Sequence, residues 1–287
     1  MSARRLASHV ALPVAVAAVS FSAIFVRLSK ASPMAIAFHR MLFSTLIVSI
    51  FVPGYLNELR KISRKEWVIL LSAGFFLAVH FAAWISSLDY TSVASSVVLV
   101  TSHPLLVAWI SSRYLGEKTS REAYVAIIVA LFGIGIMTFS DYRYKEWSLF
   151  GDFLAILGMI AVTGYIIRTK QMRRKMSVIP YVFTVYGFST LFLGGSWIFV
   201  ATPPTIYPIR EYLLFLAMAI IPTILGHTVY NWALKYVKTR IASVSLLGEP
   251  IGASILAFLI LSEVPPAWTI LGAGIALVGI YFCTRFE

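Results

Sequence analysis

Ten near-continuous apolar stretches, each about 18 to 22 residues long, follow one another along the 287 residues of this chain. A helix needs about 20 apolar residues to cross roughly 30 Å of hydrocarbon. No water is available there to satisfy exposed backbone groups, so each stretch is restricted to helix. The stretches fall at approximately 8–28, 33–52, 67–87, 91–112, 121–140, 148–167, 179–200, 211–232, 240–261 and 267–284. The period-two alternation of a membrane β-barrel is absent. Charged residues are only 13% of the chain, too few to cover a water-facing surface. The sequence predicts an all-α integral membrane protein of ten transmembrane helices.

A net charge of +12 raises the question of nucleic acid, and the placement of the charge answers it. With the N-terminus inside, one side holds Arg4, Arg5, Arg60, Lys61, Arg64, Lys65, Arg113, Lys118 and Arg121. The same side also holds Arg168, Lys170, Arg173, Arg174, Lys175, Lys235, Lys238, Arg240 and Arg285. The other side holds Arg27, Lys30, Arg143, Lys145 and Arg210. This bias predicts that both termini are cytoplasmic, in a multi-pass protein of the cell membrane. Anionic lipid accounts for the basic charge, and no nucleic-acid partner is expected. The apolar run from about Val10 to Val26 is long for a signal peptide and reads as a retained first helix. The single cysteine, Cys283, allows no internal disulfide and no multi-cysteine metal site, and it reads as packing.

The two halves of the chain repeat at an offset of 146 residues. Leu88-Asp-Tyr90 returns as Leu234-Lys-Tyr236, His103-Pro104 as Glu249-Pro250, and Leu115-Gly-Glu117 as Leu261-Ser-Glu263. Ala130-Leu-Phe-Gly133 returns as Ala276-Leu-Val-Gly279. Five helices per repeat is an odd number, so the second repeat starts on the opposite side of the membrane. The halves, 1–142 and 148–287, are predicted to be inverted repeats joined by the polar stretch Asp141–Glu146. The Thr202–Pro208 segment, with its prolines, reads as an extended outside loop. Repeats of this kind are how many secondary transporters are built, with the solute held between the halves.

These motifs in this order resemble the drug/metabolite transporter superfamily, specifically its EamA-like branch. Each half runs from Leu-x-Tyr through a mid-helix proline to Leu-Gly/Ser-Glu and a glycine-containing fifth helix. Phe38-His-Arg40 and Gly151-Asp152 are also similar to that family. The resemblance implies an alternating-access carrier of small metabolites, often amino acids or related compounds moved outward. It also implies a cavity lined by helices 1, 3, 4, 6, 8 and 9. His103 departs from the pattern, since the family more often has Glu or an uncharged residue before that proline.

Ionisable groups at bilayer depth are candidate functional residues by default. Glu249 is expected near the middle of the ninth helix, as a proton-titrating carboxylate, an anchor for a substrate ammonium, or a structural partner of Arg40. Arg40 is expected chiefly to support packing, with the grip of a substrate carboxylate as the other reading. His80, Trp84 and Ser87 share one face of the third helix at i, i+4 and i+7. On the eighth, Thr223, His227, Tyr230 and Asn231 lie beside Pro222 and Gly226, which loosen the helix. His80, Trp84, His227, Tyr230, Asn231 and Glu249 are therefore the candidate substrate-binding residues, with Glu249, His103 and Arg40 as coupling or support. His39 reads as a packing residue. Among the small polar residues of the fourth helix, Ser95, Ser96 and Ser102 read as packing. Ala126, Ala130 and Gly133, with Gly272, Ala276 and Gly279, form small-residue stripes suited to contact between halves or in a homodimer.

No His-Glu-x-x-His, Gly-x-Ser-x-Gly, paired-Asp or Walker sequence is present, so neither an enzyme nor ATP-driven pumping is expected. No cofactor and no metal is implied. The expected function is secondary active or facilitative transport of a small polar metabolite, with protons as a coupling ion. A lipid scramblase, or an intramembrane enzyme using Glu249 and the histidines, is the alternative.

Overall fold

A computed structural model of the protein describes residues 3–90, 96, 99–139, 149–200, 206–262 and 267–285. The Asp141–Glu146 joint, Ser95, Glu263 and the 202–205 part of the proline-rich segment lie outside the described residues. Every regular element among those described is helical. The helices are α1 (Ala3–Leu28), α2 (Pro33–Ser49), α3 (Leu56–Arg60), α4 (Arg64–Tyr90), α5 (His103–Tyr114) and α6 (Arg121–Phe139). They continue as α7 (Leu149–Arg173), α8 (Val178–Val200), α9 (Ile209–Ala233), α10 (Thr239–Ser245), α11 (Gly248–Leu261) and α12 (Ala267–Arg285). Six described spans are long and apolar enough to cross a membrane, or seven if α2 and the segment after its 69° bend count as one. The protein is thus a multi-pass membrane protein.

Local sequence explains where helices begin and end. Ser32 caps α2 by accepting from the Ala35 N–H, with Pro33 in the first turn, where its missing N–H does no harm. At the start of α4, Ser63 and Glu66 form a reciprocal capping box: the Glu66 carboxylate accepts from the Ser63 N–H (3.0 Å) and the Ser63 hydroxyl accepts from the Glu66 N–H (3.3 Å). Gly116, just past α5, has φ +68°, and Ser262, just past α11, has φ +57°. These are the middle residues of Leu-Gly-Glu and Leu-Ser-Glu, so the repeated motif is in part a helix stop that reverses the chain.

Two single-helix readings are corrected. The ninth stretch, expected as one helix, is α10 and α11 separated at Leu246–Leu247, which places Glu249 in the first turn of α11 and not mid-helix. His103 likewise opens α5, with Pro104 behind it. In each half, the proline that cannot donate a backbone bond stands in the first turn after the break. The eighth stretch is helical throughout, but Ala219–Thr228 is wound as a π-helix containing Pro222. Its looser winding is visible in Thr223, whose hydroxyl reaches back five residues to the Met218 carbonyl (2.9 Å).

Helix contacts pair up across the 146-residue offset. α4 lies along α7, and its counterpart α9 lies along α1; α5 meets α7, and its counterpart α11 meets α1. α1 can press closely because α9 and α11 present glycines to it. A Cβ on Gly226 would come within 2.6 Å of Val19 Cγ1, and one on Gly252 would run into the Ser20 hydroxyl. α6 and α12 pack on each other through the small-residue stripes. A Cβ on Gly279 would sit 2.5 Å from the Ala130 nitrogen, and one on Gly133 would strike the Ala276 backbone. These contacts join the two halves of the chain.

Candidate functional site

A central cavity of about 70 Å³ lies where α1, α2, α4, α7, α9 and α11 meet the approach to α5. One water needs about 10–15 Å³ on such a measure, so it has room for a handful of waters. Its wall includes Arg40, His80, Trp84, His103, His227 and Glu249. Six of the eight sequence candidates are therefore gathered around one space, drawn from both halves of the chain. Ser22, Phe81 and Thr101 also line it. They went unread in the sequence because small hydroxyls and phenylalanines are ordinary in apolar helices.

Arg40 is fully buried. Its Nε donates to Thr223 Oγ1 of α9 (2.9 Å), and its Nη1 donates to Ser22 Oγ of α1 (2.8 Å). The guanidinium lies over the Phe81 ring, with Cζ 4.2 Å from the centroid, a cation–π contact. Three helices are thus tied to α2 by one side chain. Its Nη2 has no hydrogen-bond partner. Glu249 borders the same cavity, but no ion pair joins it to Arg40 within 4 Å among the described residues, and no described side chain bonds its carboxylate. The direct structural pair considered for these two is absent.

The aromatic wall is ordered by hydrogen bonds to backbone. His80 pairs through Nδ1 with the Gly158 carbonyl of α7 (3.0 Å) and lies parallel to Trp84, with ring planes 4° apart. A Cβ on Gly158 would meet Val100 Cγ2 at 3.3 Å and Trp84 at 3.5 Å. Phe81 stands edge-on to His227, ring centroids 5.5 Å apart. His103 pairs through Nδ1 with the Val100 carbonyl (3.1 Å). Trp84 Nε1 is buried without a hydrogen-bond partner.

Tyr230 and Asn231 do not line this cavity. They are buried on the other side of α9, where the Asn231 amide exchanges hydrogen bonds with the Tyr165 hydroxyl of α7 (2.9 and 2.7 Å). Helical spacing put His227 and Asn231 on one face, but Asn231, one turn further along α9, is taken up by Tyr165 instead of the cavity. His39 is packed among Trp197, Tyr207, Tyr212 and Phe215 and bonds the Ala35 carbonyl through Nδ1 (2.8 Å). Ser96 bonds Ser87 (2.7 Å).

The basic end of the bundle is tied shut by a network the sequence hid. Glu117 lies 3.5 Å from Lys170 Nζ and 3.4 Å from Arg174 Nη2, and its Oε2 accepts from the Thr239 N–H at the start of α10 (2.6 Å). Lys170 also donates to the Leu234 and Val237 carbonyls, and Arg173 Nε to the Asn231 carbonyl (3.0 Å). Lys170 and Arg173 looked like loop charges, yet both are buried. Their i, i+3 spacing on α7 was the only available signal. At the opposite end, Glu211 accepts from the Ser29 hydroxyl (2.5 Å) and the Lys30 N–H (3.2 Å), joining α9 to the end of α1. Beside that contact, a cleft of about 520 Å³ runs between the α1–α2 turn and the end of α4.

A bundle of apolar helices around a mostly apolar cavity, with a few ionisable groups reaching it from both halves, is an arrangement suited to a membrane transporter of small molecules. The sequence pattern of the EamA-like transporter family matches residues 7–139 and 149–285, and the chain belongs to that family. It is 24% identical over 263 residues to an uncharacterized transporter of Archaeoglobus fulgidus, covering 91% of this chain and 90% of the relative. It is 24% identical over 226 residues to the pseudopaline exporter CntI of Pseudomonas aeruginosa (strain UCBPP-PA14), covering 78% and 77%. A crystal structure 14% identical in sequence superposes with a TM-score of 0.81 over 98% of both chains, a likeness of fold.

Proposed function

We propose that this transporter is a secondary active or facilitative exporter of small polar metabolites, amino acids or related compounds. It works by alternating access between two inverted five-helix repeats. The observation that carries the reading is the cavity itself, which holds Arg40, His80, Trp84, His103, His227 and Glu249 between helices from both halves. The pairing of helix contacts across the 146-residue offset supports two related repeats, 1–142 and 148–287, with the close helix pairs joining one repeat to the other. The apolar runs and the charge bias support ten spans with both termini in the cytoplasm. The likeness to an exporter supports outward movement, and the distribution of basic residues supports a place in the cell membrane.

In this mechanism the Glu117 network closes the cytoplasmic end while the Glu211 end gives access from outside. Rocking breaks the Glu117 contacts and closes the cleft beside Glu211. Glu249, a carboxylate with no described partner at the cavity wall, exchanges a proton or orients the solute, and His103 stands at the matching position of the other repeat. The small-residue stripes of α6 and α12 pack against each other within the chain.

The test is uptake of a radiolabelled amino-acid panel by purified protein in proteoliposomes, with and without a pH gradient, for wild type and Glu249→Gln. The expected result is saturable flux that responds to the gradient, with most of it lost in the variant at unchanged thermal stability. Full flux and an unchanged gradient response in the variant would remove Glu249 from the mechanism. Absence of flux for the whole panel would remove the amino-acid reading.

A further inference from the structure

Three buried polar atoms of residues lining the central cavity have no hydrogen-bond partner among the described residues: the donors Arg40 Nη2 and Trp84 Nε1, and His103 Nε2, which is an acceptor when Nδ1 donates to the Val100 carbonyl. An orphaned buried donor costs about 1–3 kcal/mol, more when it belongs to a charged group. A folded chain retains two in one wall when something else satisfies them. The rest of each side chain is held firmly. Two of the three guanidinium nitrogens are bonded to Ser22 and Thr223, and the indole is stacked on a histidine that is itself fixed to Gly158. Each free N–H is therefore preorganised, so little further ordering is needed when an acceptor arrives.

We propose that Arg40 Nη2 and Trp84 Nε1 form the receptor for a solute's carboxylate, and that Glu249 faces the ammonium group of the same solute. The proposal rests on the carrier reading for the solute's role as cargo, and it deepens that reading by fixing which solute group meets which residue. Arg40 is the only Lys or Arg among the lining residues, and Glu249 is the only acid. A zwitterion leaves the net charge of the cavity unchanged, whereas an amine, a monoanion or a phosphate ester does not. The aromatic surfaces of Phe81, His227 and the His80–Trp84 stack would accept the solute's side chain.

The test is competition binding to purified protein in detergent, using the proteinogenic L-amino acids and the carboxamide of each. Wild type is expected to bind at least one free amino acid about tenfold or more tightly than its amide, because the amide removes the charge that meets the guanidinium. Trp84→Phe keeps the ring and removes the N–H. It should weaken the acid about fivefold and the amide, whose neutral carbonyl accepts a weaker bond, about twofold, so that the ratio between them narrows. Arg40→Lys should narrow it further, and Trp84→Phe carries the test if the lysine variant fails to fold. Equal affinity for acid and amide, an unchanged ratio in Trp84→Phe, or no binding by any amino acid would overturn the proposal. Flux separates the two ideas. An acid that binds with the expected ratio but never crosses proteoliposomes overturns the carrier and leaves the receptor. Equal flux of acid and amide overturns the receptor and leaves the carrier.

Discussion

Arg40 shows what a buried charge requires of its neighbours at membrane depth. A cation at membrane depth survives only if its hydrogen-bonding capacity is met, and Ser22 and Thr223 meet two nitrogens from two different helices. Thr223→Val keeps the shape and removes the acceptor of Nε. It should lower stability by about 1–3 kcal/mol, seen as a lower midpoint of thermal unfolding in detergent. An unchanged midpoint would mean that water replaces the hydroxyl. Arg40, His80, Trp84, His103, His227 and Glu249 were all legible as candidates, because ionisable and large aromatic groups are conspicuous in apolar sequence. Their relative roles were not legible. The sequence made Glu249 and Arg40 candidate partners; in the structure they face one cavity without an ion pair within 4 Å among the described residues.

At the scale of the element, the repeated Leu-Gly-Glu and Leu-Ser-Glu motifs are best understood as helix stops. Gly116 takes a left-handed conformation without steric penalty, whereas Ser262 takes the same conformation with a Cβ. Ser262→Gly should therefore stabilise the protein by up to about 1 kcal/mol, measured as a raised unfolding midpoint; a lowered midpoint would show that the serine side chain has work of its own. α12 offers a paired test of the stripe. Gly279→Ala would push a methyl group to 2.5 Å from the Ala130 nitrogen and should cost about 1–3 kcal/mol. Gly274→Ala, with nothing within 4 Å, should be neutral or stabilising by up to about 1 kcal/mol. If both substitutions behave alike, the close approach of α6 and α12 is wrong. Element boundaries were only partly readable: apolar length marks a span, but it does not reveal that α10 and α11 are separate pieces or that α9 is wound as a π-helix. Pro222 and Gly226 signalled loosening, and how the helix relaxed depended on α1 packing against it.

For the whole molecule, the decisive contacts are those that join distant parts at its two ends. Glu117 links the end of α5 to α7 and to the start of α10. Glu117→Gln removes the charge facing Lys170 and Arg174. Faster amide hydrogen exchange across Thr239–Ser245 is expected, and unchanged protection there would show that the network is incidental. The charge bias makes a separate topological prediction. Green fluorescent protein fused after Glu287 should fluoresce, and alkaline phosphatase fused there should be inactive. The opposite pair of results would invert the orientation of the protein. Composition and the spacing of apolar runs were enough to determine a helical membrane protein, because hydrocarbon leaves the backbone almost no other choice. The offset motifs were enough to suggest two related halves, because each marks a place where a helix stops or bends. Which side chains share a cavity was decided only by the tertiary structure. Sequence spacing does not fix how α9 sits between α1 and α7, and it is that packing, admitted by Gly226, that sets His227 at the cavity wall and Asn231 against Tyr165.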